Sequence, residues 1–97
     1  MLYEAAIKFL KLAIRDFEAK DYKKGGTLIG KANDIINELN TVLDMDDGGE
    51  IASNLRKLYS FMNERLTQAN TRKDTEMIRE VITLLEELNQ GWKAIAD

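Results

Sequence analysis

The sequence contains no cysteine, no histidine and no proline, and each absence excludes a kind of chemistry or structure. Without cysteine the chain forms neither disulfides nor a thiolate metal site, which is in keeping with the cytoplasm. Without histidine and cysteine it lacks the commonest general base and the best nucleophile, so the sequence predicts no enzyme, no catalytic residue and no cofactor. Without proline, long helices can continue uninterrupted.

Long apolar runs and clustered positive charge are also missing. No apolar stretch approaches the roughly 20 residues of a membrane-spanning helix, and charges interrupt the opening segment, so we expect neither membrane insertion nor a signal peptide. The formal net charge is −3, and the basic residues alternate with acidic ones, so nucleic acid is excluded as the main partner. The 97 residues, 44% hydrophobic and 32% charged, predict a single domain covering residues 1–97.

Hydrophobic periodicity divides the chain into four amphipathic helices. They are expected at about residues 2–19, 21–43, 50–69 and 74–95, with short connections between them. No segment shows the alternation of a β-strand. The sequence therefore predicts an all-α fold, an antiparallel up-down-up-down four-helix bundle.

Local signals refine this bundle. Asp21 is expected to cap the second helix, and Asn70, Thr71 or Asp74 to cap the fourth. Three glycines lie early in the second helix, where each costs about 1 kcal/mol relative to alanine, so this part is either weak or packed closely against a neighbour. The residues expected in the core include Phe9, Leu55, Leu85 and Trp92.

Acidic residues and two glycines stand together at the middle of the chain, in the stretch LDMDDGGE. Asp44, Asp46 and Gly49 fit the first, third and sixth positions of a calcium-binding EF-hand loop. Gly48 at the fifth position and Leu55 in place of the bidentate glutamate break that pattern. We therefore predict no metal site here, but a turn in which the glycines permit positive backbone angles and Asp46 or Asp47 caps the next helix.

The first helix carries two apolar stripes side by side. One consists of Leu2, Ala6, Phe9, Ala13 and Phe17, and the other of Tyr3, Ile7, Leu10 and Ile14. Together they form an arc wider than one seam of a bundle requires. In one interpretation the second stripe simply packs against a second neighbouring helix. In the other, Tyr3, Ile7, Leu10 and Ile14 stay exposed and receive an amphipathic helix from a partner protein.

Several segments together resemble a known family. They are MLYEAAIKFLKLA, KDYKK, ANDIINELNTVLDMDDGGEIASNLRKLYSFMNERLTQAN, VITLLEEL and GWKAI. The most specific pieces are MLYE, LDMDDGGEIASNLRKLYSFMNERL and the pair Trp92-Lys93. On these segments the sequence resembles the flagellin-specific export chaperones of bacteria over essentially its whole length.

This resemblance implies a function. Members of the family bind the disordered C-terminal segment of flagellin in the cytoplasm, prevent its premature polymerisation and deliver it to the flagellar type III export apparatus. Components of the export gate are a further implied partner. The alternative is a structural or oligomerising four-helix bundle without an export client.

The sequence also departs from the family pattern. Family members usually carry an N-terminal segment ahead of the first long helix, and that segment can cover the hydrophobic surface when flagellin is absent. We expect that it is missing here. An uncovered apolar surface would then allow self-association of the empty protein.

Overall fold

The computed structural model describes residues 2–43 and 45–96, and within them the side chains of residues 2–43 and 48–92. This part of the chain forms four helices, α1 (Leu2–Glu18), α2 (Tyr22–Thr41), α3 (Met45–Arg72) and α4 (Thr75–Ala96), and contains no strand. The predicted all-α fold is confirmed.

The helices form a ring in chain order. Helix α1 packs against α2 and α4, and α3 packs against the same two helices on the other side. The start of α1 meets the end of α4, where the Trp92 indole nitrogen lies 3.0 Å from the Tyr3 hydroxyl oxygen. The end of α1 meets the start of α4 through an ion pair of 3.3 Å between Glu18 and Arg79. Consecutive helices are joined by short connections, so the predicted up-down-up-down bundle is confirmed.

Two aspartates begin helices as the sequence predicted. Asp21 caps α2, because its side chain accepts a hydrogen bond of 3.2 Å from the backbone N–H of Lys24. Asp74 precedes α4 and accepts from the backbone N–H groups of Glu76 and Met77, at 2.9 and 3.4 Å. The other two candidate caps for α4 lie inside α3. Each cap satisfies N–H groups that a helix leaves unpaired in its first turn.

The acidic glycine stretch forms a kink and not the simple turn that we expected. Helical residues precede it from Met45, and the backbone leaves the helical region only at Gly49, with φ of 57° and ψ of −130°. Glycine adopts this positive φ at little steric cost, as the sequence predicted. Asp44 and the side chains of Asp46 and Asp47 lie outside the described residues, and so do their expected capping roles. The described side chains contain no group of metal-ligating residues.

All four helices contribute to one hydrophobic core. Its fully buried large side chains are Leu10, Ile29, Ile36, Met62, Leu66, Ile78, Val81 and Leu85. Of the residues that we expected here, Leu85 is fully buried, whereas Phe9 and Leu55 pack against the core from its edge. The prediction for Trp92 is wrong, since 40% of this residue is exposed. Its indole N–H requires a hydrogen-bond partner and finds one at the rim, in the Tyr3 hydroxyl.

The second stripe of α1 belongs to the core as well. Leu10 has no exposed surface, Ile7 and Ile14 are each only 9% exposed, and Tyr3 is half-buried. Because α1 packs against both α2 and α4, most of both stripes is covered, although Leu2 at the start of the helix is 39% exposed. Of the two interpretations left open by the sequence, the structure therefore agrees with packing of this stripe against a second neighbouring helix. Whether these residues take part in partner binding stays a prediction.

Candidate binding grooves

Helix α1 borders a surface groove on each side. The α1–α4 groove has a volume of about 480 Å³, and its lining consists of Glu4, Ile7, Lys8, Lys11, Leu12, Glu86, Asn89 and Gln90. Lys11 and Glu86 face each other across it in an ion pair of 3.5 Å. Both of these side chains are largely exposed, so the pair contributes little to stability and can open when a partner binds.

The α1–α2 groove lies on the opposite side of α1. It has a volume of about 460 Å³ and is lined by Leu12, Arg15, Asp16, Asp21, Lys23, Lys24, Thr27, Leu28 and Lys31. The apolar part of its lining consists of Leu12 and Leu28, which are both half-buried, and most of its rim is charged. Each groove thus combines a small apolar floor with a polar rim, as peptide-binding surfaces do.

Leu12 is the residue that joins the two grooves, because it lines both of them. It belongs to neither apolar stripe, and the sequence analysis did not select it. The signal was nevertheless present: Leu12 lies between Lys8 and Arg15 on the charged face of α1, at the spacing of neighbouring helical turns. Single apolar residues on charged faces are common on protein surfaces, so this signal is weak, and it is the structure that shows Leu12 in the lining of both grooves.

The four residues proposed from the sequence take different places. Ile7 lines the α1–α4 groove, where a small part of its side chain is accessible. Leu10 and Ile14 line neither groove and belong to the hydrophobic core. Tyr3 packs against the core at the end of the bundle where Trp92 lies. The structure therefore brings only one of the four to a groove.

A hydrogen-bonded aromatic cluster joins three helices at this end of the bundle. The Trp92 indole N–H donates to the Tyr3 hydroxyl, and the hydroxyl groups of Tyr3 and Tyr59 share a further hydrogen bond. Tyr59 is only 2% exposed. Its burial, and secondarily the neighbouring Tyr3 hydroxyl, raise the pKa of Tyr59 far above the usual value for tyrosine.

The raised pKa of Tyr59 predicts an alkaline loss of stability. The folded state holds the phenolic proton more tightly than the unfolded state, in which the pKa is about 10. The contribution of Tyr59 is therefore constant below about pH 10 and decreases above it, by at most about 1.4 kcal/mol per pH unit. Denaturant unfolding between pH 8 and 11.5 measures this decrease, and Tyr59→Phe should make it shallower. Equal slopes for the two proteins would show that Tyr59 ionises equally easily in both states.

Four packed amphipathic helices with open grooves at their surface place the chain in the class of all-α helical bundles. The family model described as flagellar protein FliS matches residues 1–97. The chain belongs to this family, which is a family of chaperones and not of enzymes. Among the described residues, none of the helices combines the length and the hydropathy of a membrane-spanning segment.

Curated relatives agree with the family match. The flagellar secretion chaperone FliSB of Pseudomonas aeruginosa is 41% identical over 96 residues, which cover 99% of this chain and 76% of that protein. The flagellar secretion chaperone FliS of Salmonella typhimurium is 42% identical over 97 residues, or 99% of this chain and 72% of that protein. The FliS protein of Vibrio cholerae is 46% identical over 70 residues, or 72% of this chain and 52% of that protein. These relatives support an export chaperone role.

Proposed function

We propose that this protein is a cytoplasmic chaperone that binds the disordered C-terminal segment of flagellin, prevents its premature polymerisation and delivers it to the flagellar type III export apparatus. Components of the export gate are the partners at delivery. Family membership supports the chaperone role. The structural observation that carries the proposal is the α1–α4 groove, whose apolar lining residues are Ile7 and Leu12.

The shape of this groove suits a client that is disordered when free. Such a segment loses conformational entropy when it binds, and it compensates by covering a long surface rather than by filling one deep pocket. Helix α1 spans 17 residues and borders the α1–α4 groove, which is open to the surface. A client helix in the α1–α4 groove would place apolar side chains on Ile7 and Leu12 and polar ones near Asn89 and Gln90.

The residues proposed from the sequence fit this site to different degrees. Ile7 is a proposed direct contact, because it already lines the α1–α4 groove. Tyr3 is a proposed contact at the end of the bundle, where its ring is partly accessible beside Trp92. Contact between the client and Leu10 or Ile14 requires that α1 move away from its neighbours, since these side chains are buried in the closed bundle.

Replacing Leu12 by alanine should weaken binding of a flagellin C-terminal peptide about 5- to 20-fold, because the substitution removes apolar surface from the lining of the α1–α4 groove. Calorimetric titration measures the affinity, and the emission of Trp92 provides an independent signal at the end of α4. Leu58→Ala is the matched control, since Leu58 is a half-buried leucine on α3 that lines neither groove.

The two variants also separate the possible outcomes. If Leu12→Ala stays folded and binds the peptide as tightly as Leu58→Ala does, the client lies elsewhere on the bundle. If the unmodified protein itself does not bind the peptide, the structural or oligomerising bundle replaces the chaperone.

Exposed apolar side chains give that alternative some support. Val42 and Ile51 are 70% and 69% exposed, and both lie near the connection between α2 and α3. We propose that any self-association of the empty protein uses this apolar surface and not the covered stripe of α1. Sedimentation of the parent protein and of Ile51→Lys at increasing concentration tests this: an equal tendency to dimerise in both would exclude Ile51 from the contact.

A further inference from the structure

The rim of the α1–α2 groove carries four positively charged side chains, Arg15, Lys23, Lys24 and Lys31. None of the four forms an ion pair with another described residue, whereas Lys11, Arg65 and Arg79 all do. Lys31 instead lies over the Phe9 ring, 5.4 Å from its centre. The rim also includes two acids, of which Asp21 is engaged as the cap of α2. The groove is thus a locally cationic surface on a protein of net charge −3.

The other acid, Asp16, is buried beneath this rim. Only 7% of its surface is exposed, and its carboxylate oxygen Oδ2 has no hydrogen-bond partner within the described structure. A buried polar atom without a partner destabilises a protein unless water or a ligand satisfies it. Oδ2 itself has almost no accessible surface, so a donor that enters the groove reaches it once the Asp16 side chain turns towards the groove that this residue lines.

These two features together specify an unusual ligand, one that carries negative charge for the rim and an N–H donor for Asp16. The first turn of an α-helix offers both. Its leading backbone N–H groups have no partner within the helix, and acidic side chains are favoured there by the helix dipole. An amphipathic helix would in addition cover Leu12 and Leu28 with its apolar face.

We propose that the α1–α2 groove binds the acidic N-terminal turn of an amphipathic helix from a partner protein. The free N–H groups of that turn satisfy Asp16, its carboxylates pair with the lysines of α2, and its apolar side chains rest on Leu12 and Leu28. This surface is additional to the α1–α4 groove, to which we assign flagellin. The proposal does not depend on that assignment.

A pair of synthetic peptides tests the proposed polarity of the ligand. Both are N-acetylated, about 15 residues long, so that a helix can form on binding, and identical in composition with leucines along one face. One carries its glutamates in the first turn and the other in the last turn. We expect the first peptide to bind at least about tenfold more tightly, because only its helix start is both acidic and rich in N–H donors. Equal affinities, or no saturable binding below about 1 mM, would overturn the proposal.

Substitutions in the protein locate the contact. Lys23→Glu combined with Lys24→Glu should weaken binding of the first peptide at least about tenfold. The fold should be unaffected, since both side chains are exposed at the start of α2. Arg56→Glu with Lys57→Glu, on the exposed face of α3, makes the same change in net charge away from the groove and should leave binding within about twofold. Equal losses in both pairs would show that only overall charge matters and would refute the site.

Asp16→Asn provides a second, independent readout. It preserves the shape of the side chain but removes its charge, so the preference between the two peptides should decrease even if the variant melts at a different temperature. An unchanged preference would exclude Asp16 from the contact.

Titration of the lysine variant with the flagellin peptide separates this proposal from the proposed function. Unchanged flagellin binding supports two surfaces, and a parallel loss would place flagellin in this groove and overturn the second surface.

Discussion

Replacing Leu10 by alanine is expected to lower the free energy of unfolding by about 2 to 5 kcal/mol, a large part of the stability of a small domain. Leu10 has no exposed surface and is surrounded by the core that all four helices build. Truncation of its side chain therefore removes buried apolar area and leaves a cavity that a ring of packed helices cannot easily fill. Denaturant unfolding monitored by circular dichroism measures the change.

Leu12→Ala is the matched control for this prediction, because it makes the same substitution two residues further along the same helix. Leu12 is half-buried at the surface grooves, so its truncation should cost less than half as much stability. For peptide binding the order of the two effects should be reversed. Among folded molecules, Leu12→Ala should weaken the peptide complex more than Leu10→Ala does. A loss below about 0.5 kcal/mol for Leu10→Ala would mean that the second stripe of α1 is exposed after all.

Replacing Gly25 by alanine is expected to destabilise the protein by about 1 to 3 kcal/mol, although alanine is the better helix former. A Cβ atom at this position would lie 2.3 and 2.5 Å from two carbons of the Phe17 ring and 3.2 Å from the carbonyl oxygen of Ala13. The ring has little freedom to move away. Phe17 is 4% exposed, Tyr22 packs edge-on against it, and the Lys73 amino group lies 5.7 Å from its centre.

The control for Gly25→Ala is Gly30→Ala, one and a half turns further along α2. Beyond the adjacent residues and the surrounding backbone of α2, no atom lies within 4 Å of the position that a Cβ would take at Gly30, so this substitution should stabilise the protein, by up to about 1 kcal/mol. The two variants therefore make the same chemical change in the same helix with opposite expected signs. Thermal and denaturant unfolding measure both. If both variants are more stable than the parent, α1 and α2 are less closely packed at Gly25 than the structure shows.

The sequence predicted the bundle well because its fold depends on periodicity. Apolar residues recur at helical spacing in all four segments, and aspartates stand where α2 and α4 begin. The early glycines of α2 left two possibilities open, a weak helix or a close approach. Only the structure could choose between them, because the choice depends on where the Phe17 ring of another helix lies.

The candidate site was harder to predict, for a physical reason. Periodicity shows which side chains share a face of a helix, but it does not show how much of that face the neighbouring helices cover. For the wide apolar arc of α1 the sequence left two interpretations open, and the structure shows that α2 and α4 cover Ile7, Leu10 and Ile14. Leu12 was overlooked because its neighbours on the helix are charged, and the cationic groove became visible only when α2 placed its lysines beside Arg15.

The contact between Tyr3 and Trp92 has a consequence for the order of folding. The two residues lie 89 positions apart, so their hydrogen bond forms only after α4 has returned to α1. Pairs of consecutive helices close much shorter loops and meet at a lower entropic cost. Helical circular dichroism should therefore develop before the emission of Trp92 reaches its native value. The fluorescence of Trp92, the only tryptophan of the chain, thus reports when the first helix meets the fourth, which we expect to be the last step of folding.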